Sequence, residues 1–280
     1  MRYRNGNCKR LIMTNRAAYE LNRKIEELID RKGASPDAYT SDEKAMLAQY
    51  SGYGGLDNFL EESHPGILYE FFTPTKVVKK MWGLALRHGF KGGHVLEPAA
   101  GVGIFLSHAP ARKYLEKDAY FTAIEPQEYS YAILQILFPQ AIVKNGVFEQ
   151  EFIDESINES IRGKAQPKYQ LVIGNPPYGS IRGTGGGRYL NMGEKQYTKA
   201  QAYDEYFITR GIDLLLPGGL LVYVIGSEVA NGGVPFLKRG STKTKEEIAK
   251  KATLIDAYRL PNGVFDRTDV LSDIVVFQKN

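Results

Sequence analysis

From Gly92-Gly93 onward the chain alternates short apolar runs with amphipathic ones, and this alternation constrains the fold more than any other feature. Strands are expected at His94–Glu97, Tyr120–Glu125, Ala141–Lys144, Tyr169–Gly174 and Leu220–Ile225. Helices fall between them, at roughly 103–109, 127–138 and 204–216. Strands alternating with helices build a parallel sheet covered on both faces. Two further strands, near Leu254–Leu260 and Asp273–Gln278, close the chain. The segment between them is too short for a helical crossover, so they should pair antiparallel. The expected fold class is therefore α/β: a Rossmann-like, mostly parallel sheet with an antiparallel closing strand.

Upstream the pattern is helical. Ala18, Leu21, Ile25, Leu28 and Ile29 lie at helical spacing within 14–32, and Gly33 follows as a stop. Thr40-Ser41-Asp42-Glu43 has the form of a capping box, ahead of a helix over 45–50, and Ser51-Gly52-Tyr53-Gly54-Gly55 reads as a turn. Thr73-Pro74 reads as an N-cap followed by a first-turn proline, with Val77, Val78, Met81, Trp82 and Ala85 on one face of the next helix. Two units are expected: a basic tail with a helical extension over 1–66, and a catalytic domain over 67–280.

Composition excludes several classes. At 43% hydrophobic the chain is too apolar to be disordered. No stretch reaches the ~18 consecutive apolar residues of a membrane span. The single cysteine, Cys8, rules out a disulfide scaffold and suits a reducing, cytoplasmic setting. The net charge of +4 is carried by Arg2, Arg4, Lys9 and Arg10, so the remainder is neutral. That tail lacks the apolar core of a signal peptide, and Met13 is a candidate start. His64, His88, His94 and His108 show no metal-ligand spacing, so no metal is expected.

In an open α/β sheet, ligands bind beyond the carboxyl ends of the strands, and two sharp features fall there. The first is Glu97-Pro98-Ala99-Ala100-Gly101-Val102-Gly103, where glycines let a backbone turn closely around a ligand. Leu106 stands where a dinucleotide loop would have its third glycine. An acid ahead of the loop suits a cationic ammonium, and Glu125, ending the next strand, suits ribose hydroxyls. Ammonium plus ribose describes S-adenosylmethionine better than a dinucleotide. The second feature is Asn175-Pro176-Pro177-Tyr178. Its prolines remove two donors and leave a backbone rich in acceptors, while Tyr178 offers a ring for stacking. Such a turn would bind a planar amide or amine through its NH2 group.

The ordered set Phe72-Thr73-Pro74, Glu97–Gly103 and Asn175-Pro176-Pro177-Tyr178 resembles the N6-adenine DNA methyltransferases of the Asn-Pro-Pro-Tyr type. The segments Gln49–Leu56, Arg259–Phe265 and Ser272–Val275 are similar to those of the methylase domains of large phage and conjugative-element methylase-helicases, so the likeness covers roughly 14–280. It implies an S-adenosylmethionine-dependent methyltransferase fold and, by position, these roles. Phe72, Thr73 and Pro74 line the methionine end of the cofactor. Glu97 faces its ammonium, Pro98, Ala99, Gly101 and Gly103 form the loop, and Glu125 holds the ribose. Phe148 flanks the adenine, although Val147-Phe148 departs from the usual Asp-Phe. Asn175 and the Pro176 carbonyl accept from the target amino group, and Tyr178 stacks on the flipped base. No covalent nucleophile is required; positioning and electrostatics supply the rate.

DNA contacts are expected along 180–202, where Arg182, Arg188, Lys195 and Lys199 interleave with Tyr189 and Tyr197, and along the basic segment 238–251. No block of about 100 residues remains for target recognition, so a separate recognition subunit or domain, or very low specificity, is expected in its place. Three alternatives remain at this point. They are a release-factor-type protein-glutamine methyltransferase, an N4-cytosine DNA enzyme, and a non-catalytic anti-restriction or DNA-binding relative.

Overall fold

The computed structural model describes residues 13–59, 71–148, 167–177, 202–226, 242–265 and 270–280. In chain order the helices are α1 (Asn15–Lys32), α2 (Ser41–Leu47), α3 (Thr75–Arg87), α4 (Ile104–Ser107), α5 (Glu128–Leu137), α6 (Tyr203–Leu214) and α7 (Thr242–Lys251). The strands are β1 (Gly93–Glu97), β2 (Ala119–Glu125), β3 (Ile142–Asn145), β4 (Tyr169–Gly174), β5 (Leu215–Gly226), β6 (Ala252–Arg259) and β7 (Ser272–Lys279). They form one sheet in the order β3-β2-β1-β4-β5-β7-β6. The first five run parallel, and β7 lies antiparallel between β5 and β6.

The apolar residues of the strands divide between two layers. Val95, Leu171, Ile173, Val222, Val224 and Ile274 pack against Val77, Met81 and Trp82 of α3. Leu96, Ile124, Val172, Leu221 and Val275 pack against Tyr206, Phe207 and Ile208 of α6. Each such side chain, fully buried, contributes about 1.5–3 kcal/mol relative to exposure. Trp82 also satisfies its indole N–H on the Phe105 carbonyl at 3.0 Å, which ties α3 to the segment after β1.

The helical extension packs on the same body. Ala18, Ile25, Leu28 and Ile29 of α1 share one apolar cluster with Tyr50, Tyr53 and Leu56, with Ile133 and Ile136 of α5, and with Val102 of the glycine loop. Gly33 ends α1 at φ 71, its N–H bonded to the Ile29 carbonyl. The capping box forms as expected: Thr40 accepts from the Glu43 N–H, and Glu43 accepts from the Thr40 N–H.

Three expectations shift. The cap of α3 is Pro74 rather than Thr73, because Pro74 keeps an extended backbone (ψ 139) and its carbonyl accepts from Val77 and Val78. Thr73 is instead buried beside the site. Strand β5 begins at Leu215, since the Gly218-Gly219 stretch is absorbed as a register shift between Tyr169↔Leu215 and Leu171↔Leu220. The helix after β1 is a single turn, Ile104–Ser107.

Candidate active site

The chain leaves β1 outward to β2 and β3, then returns to β4 on the other side of β1. The carboxyl ends of β1 and β4 therefore flank a topological switch point, the crevice where open α/β sheets bind ligands. Both sharp sequence features sit there.

Glu97 is the last residue of β1 and is 1% exposed. Its Oε2 has no hydrogen-bond partner among the described residues. Burial, and then the neighbouring Glu125 charge, hold its carboxyl well above the usual carboxylate range. A methyl group placed on Gly174, the last residue of β4, would lie 3.7 Å from both Glu97 Cγ and Pro98 Cδ. The two strand ends are thus in contact across the crevice.

Glu125 ends β2 and is also buried, but both of its oxygens are engaged. Oε2 accepts from the Gly101 N–H at 2.7 Å and Oε1 from the Gln127 N–H at 2.8 Å. Burial pushes its carboxyl up to about 7, against the pull of those two bonds. Each oxygen retains a second lone pair for an incoming hydroxyl.

The loop between these acids is shaped by glycine. Gly101 has φ 53, and any Cβ there would collide with the Phe72 ring; Gly103 has φ 81, and its Cβ would fall 2.5 Å from Phe138 Cε2. Phe72 therefore lies directly on the loop. This brings the Phe72-Thr73-Pro74 segment to the glycines, with Pro98 and Ala100 buried and Ala99 half-buried.

At the end of β4, Asn175 is half-buried and Pro176 buried. The Asn175 Nδ2 donates to the Phe71 carbonyl at 3.3 Å. In that amide the nitrogen is the donor and the oxygen the acceptor. The bond ties the turn after β4 to the segment that covers the glycine loop, a contact with no signal in the sequence. Tyr178 lies outside the described residues, as do Arg182, Arg188, Tyr189, Lys195, Tyr197 and Lys199.

Phe148 is 1% exposed and sits in the α6-side core, 5.1 Å from the Phe207 ring, with the Arg210 guanidinium 4.8 Å from its centroid. In the basic segment 238–251, Lys251 is paired with Asp213 at 2.7 Å. Among the described residues no group of three or more His, Cys, Asp or Glu is placed to hold a metal ion, and no helix is long and apolar enough to cross a membrane.

The crevice fits S-adenosylmethionine on its own chemistry. It offers a buried carboxyl with one oxygen unpartnered among the described residues for an ammonium, a second carboxyl one strand away for a ribose, and a loop too tight for any side chain at Gly101. The sheet and this site define the S-adenosylmethionine-dependent methyltransferase fold. A solved structure described as a putative class I S-adenosylmethionine-dependent methyltransferase from Listeria monocytogenes shares it, with a TM-score of 0.54 at 15% identity over 94% of this chain and 78% of that one.

Within that fold, residues 105–262 match the Eco57I restriction-modification methylase family, and the chain belongs to it. The match encloses Asn175–Tyr178 and begins just after the glycine loop. The chain is 27% identical over 270 residues to the Defense against restriction protein B of Escherichia phage P1, covering 95% of this chain and 10% of that protein. It is 25% identical over 232 residues to the Type II methyltransferase M.HincII of Haemophilus influenzae, covering 78% of this chain and 36% of that protein. The chain thus spans about a tenth and about a third of the length of these relatives.

Proposed function

We propose that this chain is the catalytic unit of a DNA methyltransferase that moves a methyl group from S-adenosylmethionine to N6 of an adenine flipped out of the duplex. The observation that carries the reading is the buried Glu97 carboxyl, its Oε2 without a partner among the described residues, lying against the β4 end that presents Asn175. A cation site and an acceptor turn facing one crevice are what a sulfonium donor and an amino acceptor require.

In this reading Glu97 pairs with the cofactor ammonium and Glu125 adds a ribose bond to its two backbone bonds. Phe72, Thr73 and Pro74 close the methionine end, and Phe148 backs the adenine end from within the core. S-adenosylmethionine supplies an electrophilic methyl on a sulfonium. Asn175 Oδ1 and the Pro176 carbonyl accept from the two N6 protons, which draws the nitrogen lone pair out of the ring. The N6–methyl bond forms as the sulfur–methyl bond breaks, and one N6 proton passes to water. Tyr178 holds the flipped base by stacking, offsetting part of the few kcal/mol that extrusion costs. Arg182, Arg188, Lys195 and Lys199 meet phosphates, with Tyr189 and Tyr197 between them. Target choice comes from a further domain or subunit, in line with the small share of each relative that this chain spans.

The test is transfer of labelled methyl from S-adenosylmethionine to unmethylated genomic DNA, followed by nucleoside analysis. Wild type should yield N6-methyladenine, and Asn175→Ala should yield none while binding the cofactor normally. Label in N4-methylcytosine would replace the base. Cofactor binding with no labelled DNA, alone or with a recognition partner, would overturn the reading in favour of a protein substrate or a non-catalytic role.

A further inference from the structure

Two polar residues on the apolar face of α1 are not accounted for by the crevice. Asn22 and Glu26 are 0% and 3% exposed and stand four residues apart, so they share one side of the helix. Burying an amide and a carboxylate there costs free energy unless each finds hydrogen-bond partners, and both do. Asn22 Nδ2 donates to the Gly52 carbonyl at 2.7 Å, and its Oδ1 accepts from the Ser51 N–H at 3.1 Å. Glu26 Oε1 accepts from the Tyr53 hydroxyl at 2.6 Å and the Tyr50 hydroxyl at 3.3 Å, while Oε2 accepts from Arg23 at 2.9 Å. Every one of these bonds but the last grips the same turn, residues 50–53.

That turn faces the cofactor loop. The Tyr50 ring meets Phe72 edge-on at 6.5 Å, Phe72 lies on Gly101, and Val102 shares an apolar cluster with Tyr50 and Tyr53. A continuous packed path therefore runs from α1 through the tyrosine turn to the loop. Apolar packing alone would have held the turn loosely. Directional bonds to a carboxylate, roughly twice as strong as neutral ones, fix where the ring of Tyr50 sits.

We propose that Asn22 and Glu26 are positioning residues for the methyl-donor pocket: through the Tyr50–Tyr53 turn they hold Phe72 against Gly101 and so set cofactor affinity rather than the rate of methyl transfer. The inference rests on the crevice being the S-adenosylmethionine site.

The experiment compares Tyr53→Phe, Asn22→Ala, Glu26→Ala and Glu26→Gln in the full chain. Amide hydrogen exchange at Gly101–Gly103 is followed without cofactor, S-adenosylmethionine affinity by calorimetry, and kcat and KM where turnover is measurable. Tyr53→Phe and Asn22→Ala should speed exchange in the loop and weaken cofactor binding about three- to tenfold, the size of a net hydrogen bond. kcat at saturating cofactor should stay within about twofold, since only ground-state binding is altered. Glu26→Gln keeps an acceptor for both tyrosines and should restore most of what Glu26→Ala loses. Tyr53→Phe removes one oxygen and leaves the ring, so it reports even if the alanine variants fail to fold. Unchanged loop exchange and unchanged affinity in Tyr53→Phe would overturn the proposal, as would a fall in kcat with affinity intact. If wild type bound no S-adenosylmethionine, the functional reading would fail, and the exchange data alone would decide whether the tether governs the loop.

Discussion

Glu97 and Glu125 end neighbouring parallel strands at 1% and 6% exposure, and the structure treats them in opposite ways. Glu125 gives one oxygen to the Gly101 N–H and the other to the Gln127 N–H, so its burial is compensated within the chain. Glu97 leaves Oε2 with no partner among the described residues. Residue type and depth are nearly the same; the inventory of partners differs. A carboxylate satisfied by backbone is a brace with spare acceptor capacity. A carboxylate left unsatisfied has a cost that either a proton or an incoming cation removes.

The largest expected effect follows from that contrast. Glu97→Gln should weaken S-adenosylmethionine binding about a hundredfold, as expected when one partner of a buried charge pair is lost. It should leave amide exchange in the 101–103 loop unchanged. Glu125→Gln should do the reverse in kind: affinity falls less, but exchange at Gly101 quickens, because a glutamine side chain has one acceptor oxygen for two N–H donors. Calorimetry and exchange on the same two proteins check both halves. Equal losses of affinity with equal loop exchange would erase the distinction.

Next in size is Gly101→Ala. Gly101 connects the two acids, since its N–H is bonded to Glu125 while its Cα sits under Phe72. At φ 53 an alanine is strained, and its Cβ displaces the ring. Cofactor affinity should drop about tenfold, from roughly 1–3 kcal/mol of backbone strain and repacking. An unchanged Kd would mean that Phe72 does not wall the pocket.

The pair should also read out as a pH dependence with two opposite signs. Both carboxyls are raised by burial, Glu97 well above the usual range and Glu125 to about 7. A carboxyl with a raised folded pKa contributes stability that is fully present below the unfolded carboxylate pKa of 4.5. That contribution is lost as pH rises through about 7. The cofactor-free protein should accordingly lose stability from Glu125 between those limits, measured by urea unfolding at pH 5 and pH 8, and Glu97 adds a loss of the same sign. Binding a cation needs Glu97 ionised, so cofactor affinity should rise as pH climbs through the raised range of its carboxyl, at most tenfold per unit for one group. In Glu97→Gln that rise should flatten. A flat profile in wild type would show that Glu97 does not carry the ammonium.

The sheet was largely legible because strands buried on both faces read as continuous apolar runs. Val172 and Leu221 lie in such runs, and the expected bounds of β1 to β4 match the observed ones closely, whereas β5 begins at Leu215 rather than Leu220. The position of β7 inside the sheet was not read, although its sequence carries the signal. Ile274–Phe277 is apolar throughout and buried on both sides, whereas Leu254, Asp256 and Tyr258 of β6 alternate with the exposure of an edge. The site loops were legible because glycine and proline there answer a backbone requirement that the residue type itself declares. The Asn175–Phe71 bond and the Asn22 and Glu26 tethers were not, because they join residues 24 to 104 positions apart. The one available hint was an amide and an acid within the apolar stripe of α1.

The smallest expected effect tests whether an unpaired buried polar atom marks a ligand site at all. Ser130 of α5 is 1% exposed, and its Oγ, like Glu97 Oε2, has no partner among the described residues. It differs in being neutral and in lying within a helix rather than at the end of a strand. Desolvating a hydroxyl costs far less than desolvating a carboxylate, so no ligand is needed to account for it. Ser130→Ala should leave S-adenosylmethionine affinity unchanged and stabilise the fold by up to about 1 kcal/mol, since alanine is the better helix former and leaves no orphaned oxygen. Urea unfolding and calorimetry on this variant set the baseline for Glu97→Gln. A loss of affinity in Ser130→Ala would mean that perturbing α5 anywhere disturbs the pocket, and the effect at Glu97 could then no longer be assigned to its charge.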